Sequence, residues 1–71
     1  MHLANNQKGF TLIDYKTDDV RQPGAMNLRA EVYRPQVALY ADAIDRITGK
    51  KVHTTHLVFL AARQVYTIDL A

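Results

Sequence analysis

Cysteine is absent from this 71-residue chain, and long apolar runs are absent as well. Without thiols, neither disulfides nor thiolate zinc sites can support the fold, which agrees with a cytoplasmic origin. The longest apolar runs fall far short of the ~20 residues that a membrane-spanning helix needs. Met1-His2 does not begin the basic and then apolar pattern of a secretory signal. We therefore expect no association with a membrane.

A large excess of charge of either sign is also missing. Nine Lys and Arg residues against seven Asp and Glu leave a net charge of +2 and a pI near 9.2. This balance is compatible with binding nucleic acid but is too small to argue for it alone. The apolar fraction of 48% and the charged fraction of 23% are ordinary for a globular protein and argue against disorder. A chain of this length forms one small domain at most, with a marginal core.

Hydrophobic periodicity predicts the order β–β–α–β–β. The predicted elements are a strand remnant at 1–4, a strand at 10–16, a helix at 30–48, and strands at 52–61 and 65–70. Turns are expected at 5–9 and 63–64, and a polar connection at 17–27 is either functional or disordered. A strand, a crossover helix and a second strand form a right-handed unit, so 10–16 should run parallel to 54–61. The predicted fold class is α/β, a mixed β-sheet with one main crossover helix across one face.

The predicted helix carries an apolar stripe that is about 80° wide at about 100° per residue. Its members are Tyr33, Val37, Tyr40, Ile44 and Ile47. Gln36 lies at the edge of this stripe. Because proline is tolerated in a first turn but not inside a helix, we expect a break or kink at Arg34-Pro35. Gly49 should end the helix.

The strand at 10–16 ends in charge. Side chains alternate along a strand, so Leu12, Asp14 and Lys16 share one face. An acid and an amine at the end of an apolar strand must be paired, solvated in a cleft, or bound to an ion. The D-x-K triplet alone is compatible with a structural ion pair and with the edge of a metal site.

Further along, Tyr33, Gln36 and Tyr40 form the pattern Y-x-x-Q-x-x-x-Y. In this order, Leu12-Ile13-Asp14-Tyr15-Lys16-Thr17-Asp18 and that helix resemble the C-terminal nuclease domain of the bacterial RecB/AddA-type helicase–nucleases. These proteins belong to the PD-(D/E)XK superfamily of metal-dependent nucleases. The resemblance covers about residues 10–70. It implies a partial restriction-endonuclease-like core and a DNA exonuclease that depends on Mg²⁺, or on Mn²⁺ in its place, and acts in double-strand-break repair and recombination.

The same resemblance implies roles for individual residues. Asp14 would be a metal ligand and the backbone carbonyl of Tyr15 a second one, with Lys16 orienting the attacking water and stabilising negative charge. Gln36 and Tyr40 would face the site from the helix and hold a phosphate oxygen or a water, although Tyr40 suits a core position equally well. ATP would serve only a helicase part that is absent from these residues. The helicase–nuclease complex would be completed by a second subunit.

One part of the family's pattern is missing. In that family a further acidic ligand lies on the preceding strand, whereas this sequence has no acid before Asp14. We therefore expect residues 1–71 to be the C-terminal part of a single nuclease domain, incomplete at its N-terminus and inactive by itself. The alternative is a catalytically inactive DNA-binding or structural module with the same fold.

Three other features have simpler interpretations. His53 and His56 are three residues apart on a strand, so they face opposite sides and cannot chelate one metal together. Asp18 is expected to cap the loop or to pair with Arg21. The strand at 10–16 should have an unpaired edge, because its hairpin partner is short. Such an edge predicts a dimer or a higher oligomer.

Overall fold

A four-stranded mixed sheet and one long helix make up the structure, a computed structural model that describes residues 1–6 and 9–70. The elements are β1 His2–Asn6, β2 Gly9–Lys16, α1 Ala25–Thr48, β3 Val52–Phe59 and β4 Gln64–Asp69. The order of strands in the sheet follows the chain. β2 and β3 run parallel, and both outer pairs are antiparallel. The predicted mixed α/β sheet with one crossover helix is confirmed.

β1 is longer than the predicted remnant and pairs residue for residue with positions 9–13 of β2. The expected unpaired edge is therefore wrong for that part of β2, because β1 covers it. Among the described residues, positions 14–16 pair with β3 alone. The turn predicted at 5–9 includes Gln7 and Lys8, which lie outside the described residues.

β3 lies between β2 and β4, as its apolar second half predicts. The turn that follows covers positions 60–63 rather than 63–64, since Gln64 already pairs with Phe59. Its last residue, Arg63, has a φ of 54°, and this left-handed conformation closes the turn. β4 is a half-exposed edge strand as predicted, with Ile68 buried and Thr67 exposed.

α1 begins at Ala25 rather than at residue 30, directly after Gly24 in a left-handed conformation. It continues through Pro35 as a single helix, so the predicted break is wrong. Pro35 lies on the exposed side, where water can satisfy the carbonyl that loses its donor. Gly49 ends the helix as predicted, and its N–H donates to the carbonyl of Asp45 at 2.8 Å.

The core lies between α1 and one face of the sheet. The buried apolar side chains are Leu12, Val20, Ala30, Val37, Val52, Leu57, Phe59 and Ile68. The helix presents Ala30, Tyr33, Val37, Ala41 and Ile44 to this core. This stripe is turned by roughly 40° from the predicted one at 100° per residue. Tyr40 and Ile47 are exposed as a result, because small alanine side chains rather than the largest apolar ones face the sheet.

Two apolar surfaces stay uncovered. On the second face of the sheet, a shallow depression is lined by Ile13, Tyr15, His56, Val58 and Val65. On the outer side of α1, Leu28, Val32 and Leu39 are 60–71% exposed. Among the described residues, no helix is both long enough and apolar enough to cross a membrane.

Gly9 combines a positive φ of 136° with a close backbone neighbour. A Cβ built there would overlap the carbonyl oxygen of Lys51, which already accepts the Phe10 N–H at 2.9 Å. We predict that Gly9→Ala destabilises the fold by about 2–4 kcal/mol, since overpacking and backbone strain each cost about 1–3 kcal/mol. Gly49→Ala is the matched control, with a φ of 74° and open space around it, and should cost about 1 kcal/mol. Urea unfolding measures both, and equal losses would contradict the steric explanation.

Candidate functional site

An ion pair occupies the carboxyl end of β2. The Nζ atom of Lys16 lies 2.9 Å from Oδ2 of Asp14, and the two side chains are only 16% and 14% exposed. Their partners in β3 are Leu57 and Phe59, both fully buried. The structural ion pair that the sequence allows is therefore present, at the margin of the core.

This pair is not explained by stability alone. Taking two charges out of water costs free energy that their attraction repays only when the geometry is good, and removing one partner leaves the other uncompensated. Leu57 and Phe59 offer no polar group that could replace a lost partner. The pair therefore depends on both of its members, and it is weak evidence that stability is what retains them.

A second group of polar contacts lies beside Lys16. Its Nζ atom is 4.0 Å from the centroid of the Tyr33 ring, within the range of a cation–π interaction. The Tyr33 hydroxyl donates to the carboxylate of Asp18, with oxygen–oxygen distances of 2.8 and 3.0 Å. Nε of Arg29 donates to the same carboxylate at 2.8 Å, and its Nη2 donates to the Tyr33 hydroxyl at 3.3 Å. We call Asp18, Arg29 and Tyr33 the tyrosine clamp.

The predicted pairing of Asp18 with Arg21 is wrong. Arg21 instead pairs with Asp19 at 2.9 Å, in an exposed contact. α1 begins early enough to bring Arg29 within reach of Asp18, whose side chain is 20% exposed. The clamp therefore ties the connection after β2 to the first turns of the helix.

The clamp lowers the pKa of the Asp18 carboxyl below its ordinary 3.8. The hydrogen bond from Tyr33 is the largest cause, burial opposes it, and Arg29 adds a hydrogen bond and its charge. The hydrogen bonds from Tyr33 and Asp18 in turn raise the pKa of Arg29. Hydrogen bonds from Arg21 lower the pKa of Asp19 to about 2. Asp18 and Asp19 are thus ionised at neutral pH and already engaged.

The structure does not bring all the sequence-predicted site residues together. Gln36 Nε2 donates to the Tyr40 hydroxyl at 3.4 Å, and both side chains are exposed. Within the described part of the chain, neither a hydrogen bond nor a ring contact joins this second pair to Asp14 or Lys16. At 100° per residue, Gln36 and Tyr40 lie within roughly 60° of Tyr33, on the same flank of α1.

Tyr15 points to the opposite face of the sheet, where its ring is 48% exposed and meets His2 edge-on at 5.8 Å. A role for Tyr15 beside Asp14 therefore rests on its backbone carbonyl. His56 lies on that outer face as well, with Nδ1 at 2.9 Å from Oγ1 of Thr67. Neither residue adds a side chain to the end of β2 that carries the ion pair.

The fit of these residues to a divalent cation is partial. In the part of the chain that the structure describes, no group of three or more His, Cys, Asp or Glu residues could hold a metal ion. Asp14 offers a carboxylate, whereas both carboxylate oxygens of Asp18 accept hydrogen bonds from Tyr33. Hard cations such as Mg²⁺ take oxygen ligands, so Asp14 is the residue here that suits one.

Sequence reasoning missed the clamp. Arg29 and Tyr33 are four residues apart, a spacing that brings side chains together on a helix. The predicted helix began at residue 30, which left Arg29 outside it and concealed the signal. Asp18 is 15 residues from Tyr33, and this contact is tertiary.

The clamp predicts a pH-dependent stability. Because the folded pKa of Asp18 is lowered, its ionised form stabilises the fold above about pH 4, and this contribution is lost as the pH falls through the lowered value. Asp18→Asn should therefore lower the Tm by a few degrees at pH 7, and the two proteins should converge towards pH 2. The control is Asp19→Asn, which removes an exposed pair of small worth. Thermal unfolding followed by circular dichroism tests this, and a constant gap between wild type and Asp18→Asn would contradict it.

Comparison with known proteins relates this chain to one group of enzymes. No protein-family model matches it. It is 36% identical over 73 residues to the A subunit of the ATP-dependent helicase/nuclease of Listeria welshimeri, in an alignment that covers 96% of this chain and 6% of that protein. The corresponding proteins of Carboxydothermus hydrogenoformans and Thermoanaerobacter sp. (strain X514) are 43% and 45% identical over 58 and 51 residues. These alignments cover 82% and 72% of this chain and 5% and 4% of the two proteins.

The chain thus spans about 6% or less of the length of these relatives. Similarity at this level over most of the chain confirms the predicted relation to the AddA-type helicase–nucleases. The chain is homologous to a short region of the A subunit of the ATP-dependent helicase/nucleases.

Proposed function

We propose that this chain is the C-terminal part of a metal-dependent DNA nuclease domain, an exonuclease, within an ATP-dependent helicase–nuclease of double-strand-break repair and recombination. The observation that carries the proposal is the ion pair of Asp14 and Lys16 at the end of a central strand. The proposal is also supported by relatives whose name includes both helicase and nuclease. The fold would be part of a PD-(D/E)XK core.

Asp14 and the backbone carbonyl of Tyr15 would hold Mg²⁺, or Mn²⁺ in its place. When bound, such an ion supplies a hard Lewis acid that neutralises charge on a phosphate oxygen. With Asp14 as the single clear carboxylate of the described site, further oxygen ligands would come from outside these 71 residues. That requirement supports the view that the chain is inactive by itself.

Lys16 would stabilise the charge that develops on the phosphate. Its ammonium group is held by Asp14 at 2.9 Å and by the ring of Tyr33. A group that is already oriented costs little reorganisation during the reaction, which is the main source of electrostatic stabilisation in enzymes. The same ammonium could donate a hydrogen bond to the attacking water and orient it.

Gln36 and Tyr40 would contact the DNA backbone from the helix. They are exposed and hydrogen-bonded to each other. An amide and a hydroxyl can both donate to phosphate oxygens, contacts that position DNA without reading its sequence. Tyr33 on the same flank places them next to the edge of the sheet that carries Lys16.

Other parts of the complete protein would supply the remaining functions. ATP would drive the helicase part. The relatives are named as one lettered component of their enzyme, which supports a complex with a further subunit. Because its substrate would be bacterial DNA, the protein would work in the cytoplasm.

A second candidate is a catalytically inactive DNA-binding or structural module. The specific observation in its favour is that Lys16 already neutralises Asp14, and that no metal-binding group of three ligands occurs among the described residues. Such a module would bind DNA but would not cleave it. Cleavage assays separate the two candidates.

We predict that Asp14→Asn in the complete protein lowers Mg²⁺-dependent DNA degradation by on the order of 10²-fold or more, because one fixed electrostatic group is lost. Asparagine keeps the shape of the side chain and leaves a partner for Lys16. ATP hydrolysis and DNA binding should persist. The measurement is release of nucleotides from linear duplex DNA, with ATPase activity followed in parallel.

Asp42→Asn is the matched control for that experiment. Asp42 pairs with Arg46 at 3.0 Å on the helix, with 56% of its side chain exposed, and its loss should leave cleavage unchanged. Undiminished cleavage by Asp14→Asn would refute the assignment of Asp14. Wild-type protein that binds DNA without cleaving it would favour the inactive module. The 71-residue chain alone should release no nucleotides.

The isolated chain should also self-associate. A parallel pair of strands is normally covered on both faces, and here the face with Val58 and Val65 is open. In a solution of this chain alone, the cover that is available is a second copy. We predict a dimer or higher oligomer at tens of micromolar, and Val65→Lys should shift it towards monomer, with Gln64→Lys as the control on the other face. Static light scattering measures the mass, and a wild-type monomer at this concentration would rule out the association.

A further inference from the structure

We propose that Tyr33 is a positioning residue, whose ring holds the ammonium group of Lys16 against Asp14 and whose own orientation is set by Asp18 and Arg29. The inference rests on the proposed function where it concerns DNA cleavage. The statement about Lys16 itself is independent of any activity. Tyr33 would act through Lys16 and would not touch the substrate.

The need for such a residue follows from the chemistry of lysine. A lysine side chain is a point charge on a flexible four-carbon stem, so a single ion pair does not fix it. Lys16 has two restraints, the Asp14 carboxylate at 2.9 Å and the Tyr33 ring at 4.0 Å. The two together confine the ammonium group, which is consistent with a side chain that is only 16% exposed.

The Tyr33 ring is itself held by contacts. Its hydroxyl donates to the Asp18 carboxylate and accepts from Nη2 of Arg29, while Arg29 also donates to Asp18. These three bonds link the same three residues in a closed ring. A tyrosine fixed at its hydroxyl end presents its face in one direction, and here that face meets Lys16.

The clamp also connects elements that would otherwise be independent. The backbone of α1 approaches β3 and β4 rather than β2. The side chain of Tyr33 crosses from the helix to Lys16, and Asp18 lies two residues beyond Lys16 in the chain. The position of the ammonium group therefore follows the position of the helix.

The first test is spectroscopic and uses this chain. A ring face 4.0 Å from Nζ should shift the ε-methylene proton signals of Lys16 upfield relative to those of Lys51. Tyr33→Phe keeps the ring and should retain most of this displacement, whereas Tyr33→Leu should abolish it. Tyr66→Leu removes a ring of the same size from β4 and should leave the Lys16 signals in place.

A further variant covers the case in which Tyr33→Leu does not fold, which its backbone amide spectrum would reveal. Asp18→Asn leaves the ring present but weakens its anchor, and should reduce the displacement without abolishing it. Lys16 signals that resemble those of Lys51 in the wild type, or that are unaffected by every Tyr33 and Asp18 variant that folds, would overturn the proposal.

The second test uses the complete protein. Tyr33→Leu should lower kcat for DNA cleavage by on the order of 10–100-fold, as expected when a catalytic group is displaced, with KM for DNA little changed. Tyr33→Phe should restore most of kcat. Equal kcat in wild type and Tyr33→Leu would overturn the catalytic part. If wild-type protein does not cleave DNA, the proposed function fails, and the spectroscopic test alone decides whether Tyr33 holds Lys16.

Discussion

The parallel pairing of β2 with β3 is the constraint on which the rest of the structure depends. Parallel neighbours cannot be joined by a short turn, so the chain must leave the sheet and return through a crossover element. α1 is that element, and it buries the face of the sheet that contains Leu12 and Leu57. Because a crossover of this kind is right-handed, the helix can cover only one face, and the connection after β2 must run directly beneath its first turns.

That connection explains where the polar groups collect. β2 ends at Lys16, still paired with fully buried Phe59, and the next residues must leave the core while carrying charge. A charge at this boundary needs a partner within reach. Asp14 supplies one from the same strand, and Tyr33 supplies the other from the helix. The site is therefore a consequence of how a charged strand end meets a crossover helix.

The uncovered surfaces have the same origin. One helix is enough for one face of a mixed sheet, and the second face keeps Tyr15 and Val65 about half exposed. The helix has apolar side chains on its outer side as well, including Leu28 and Leu39. Apolar surfaces of this kind commonly mark contacts with other protein. Both are compatible with homology to a region that is about 6% of a much longer relative.

Much of this protein was determined by the sequence itself. Alternation and apolar runs defined the strands, the central place of β3 and the parallel pairing, because these depend on which side chains need burial. Gly49 marked the end of the helix because few other residues adopt its left-handed conformation readily. The D-x-K spacing placed Asp14 and Lys16 on one face, since the period of a strand is two residues.

Only the tertiary structure decided the rest. Periodicity gives a direction around a helix but not the distance to its neighbour, so it could not show that Ala30 and Ala41 face the sheet while Tyr40 is exposed. The clamp joins Asp18 to residues 11 and 15 positions away, and such contacts exist only once helix and loop are packed together. The neighbours of Lys16 on the helix were therefore beyond local reasoning, because they depend on how closely two elements approach.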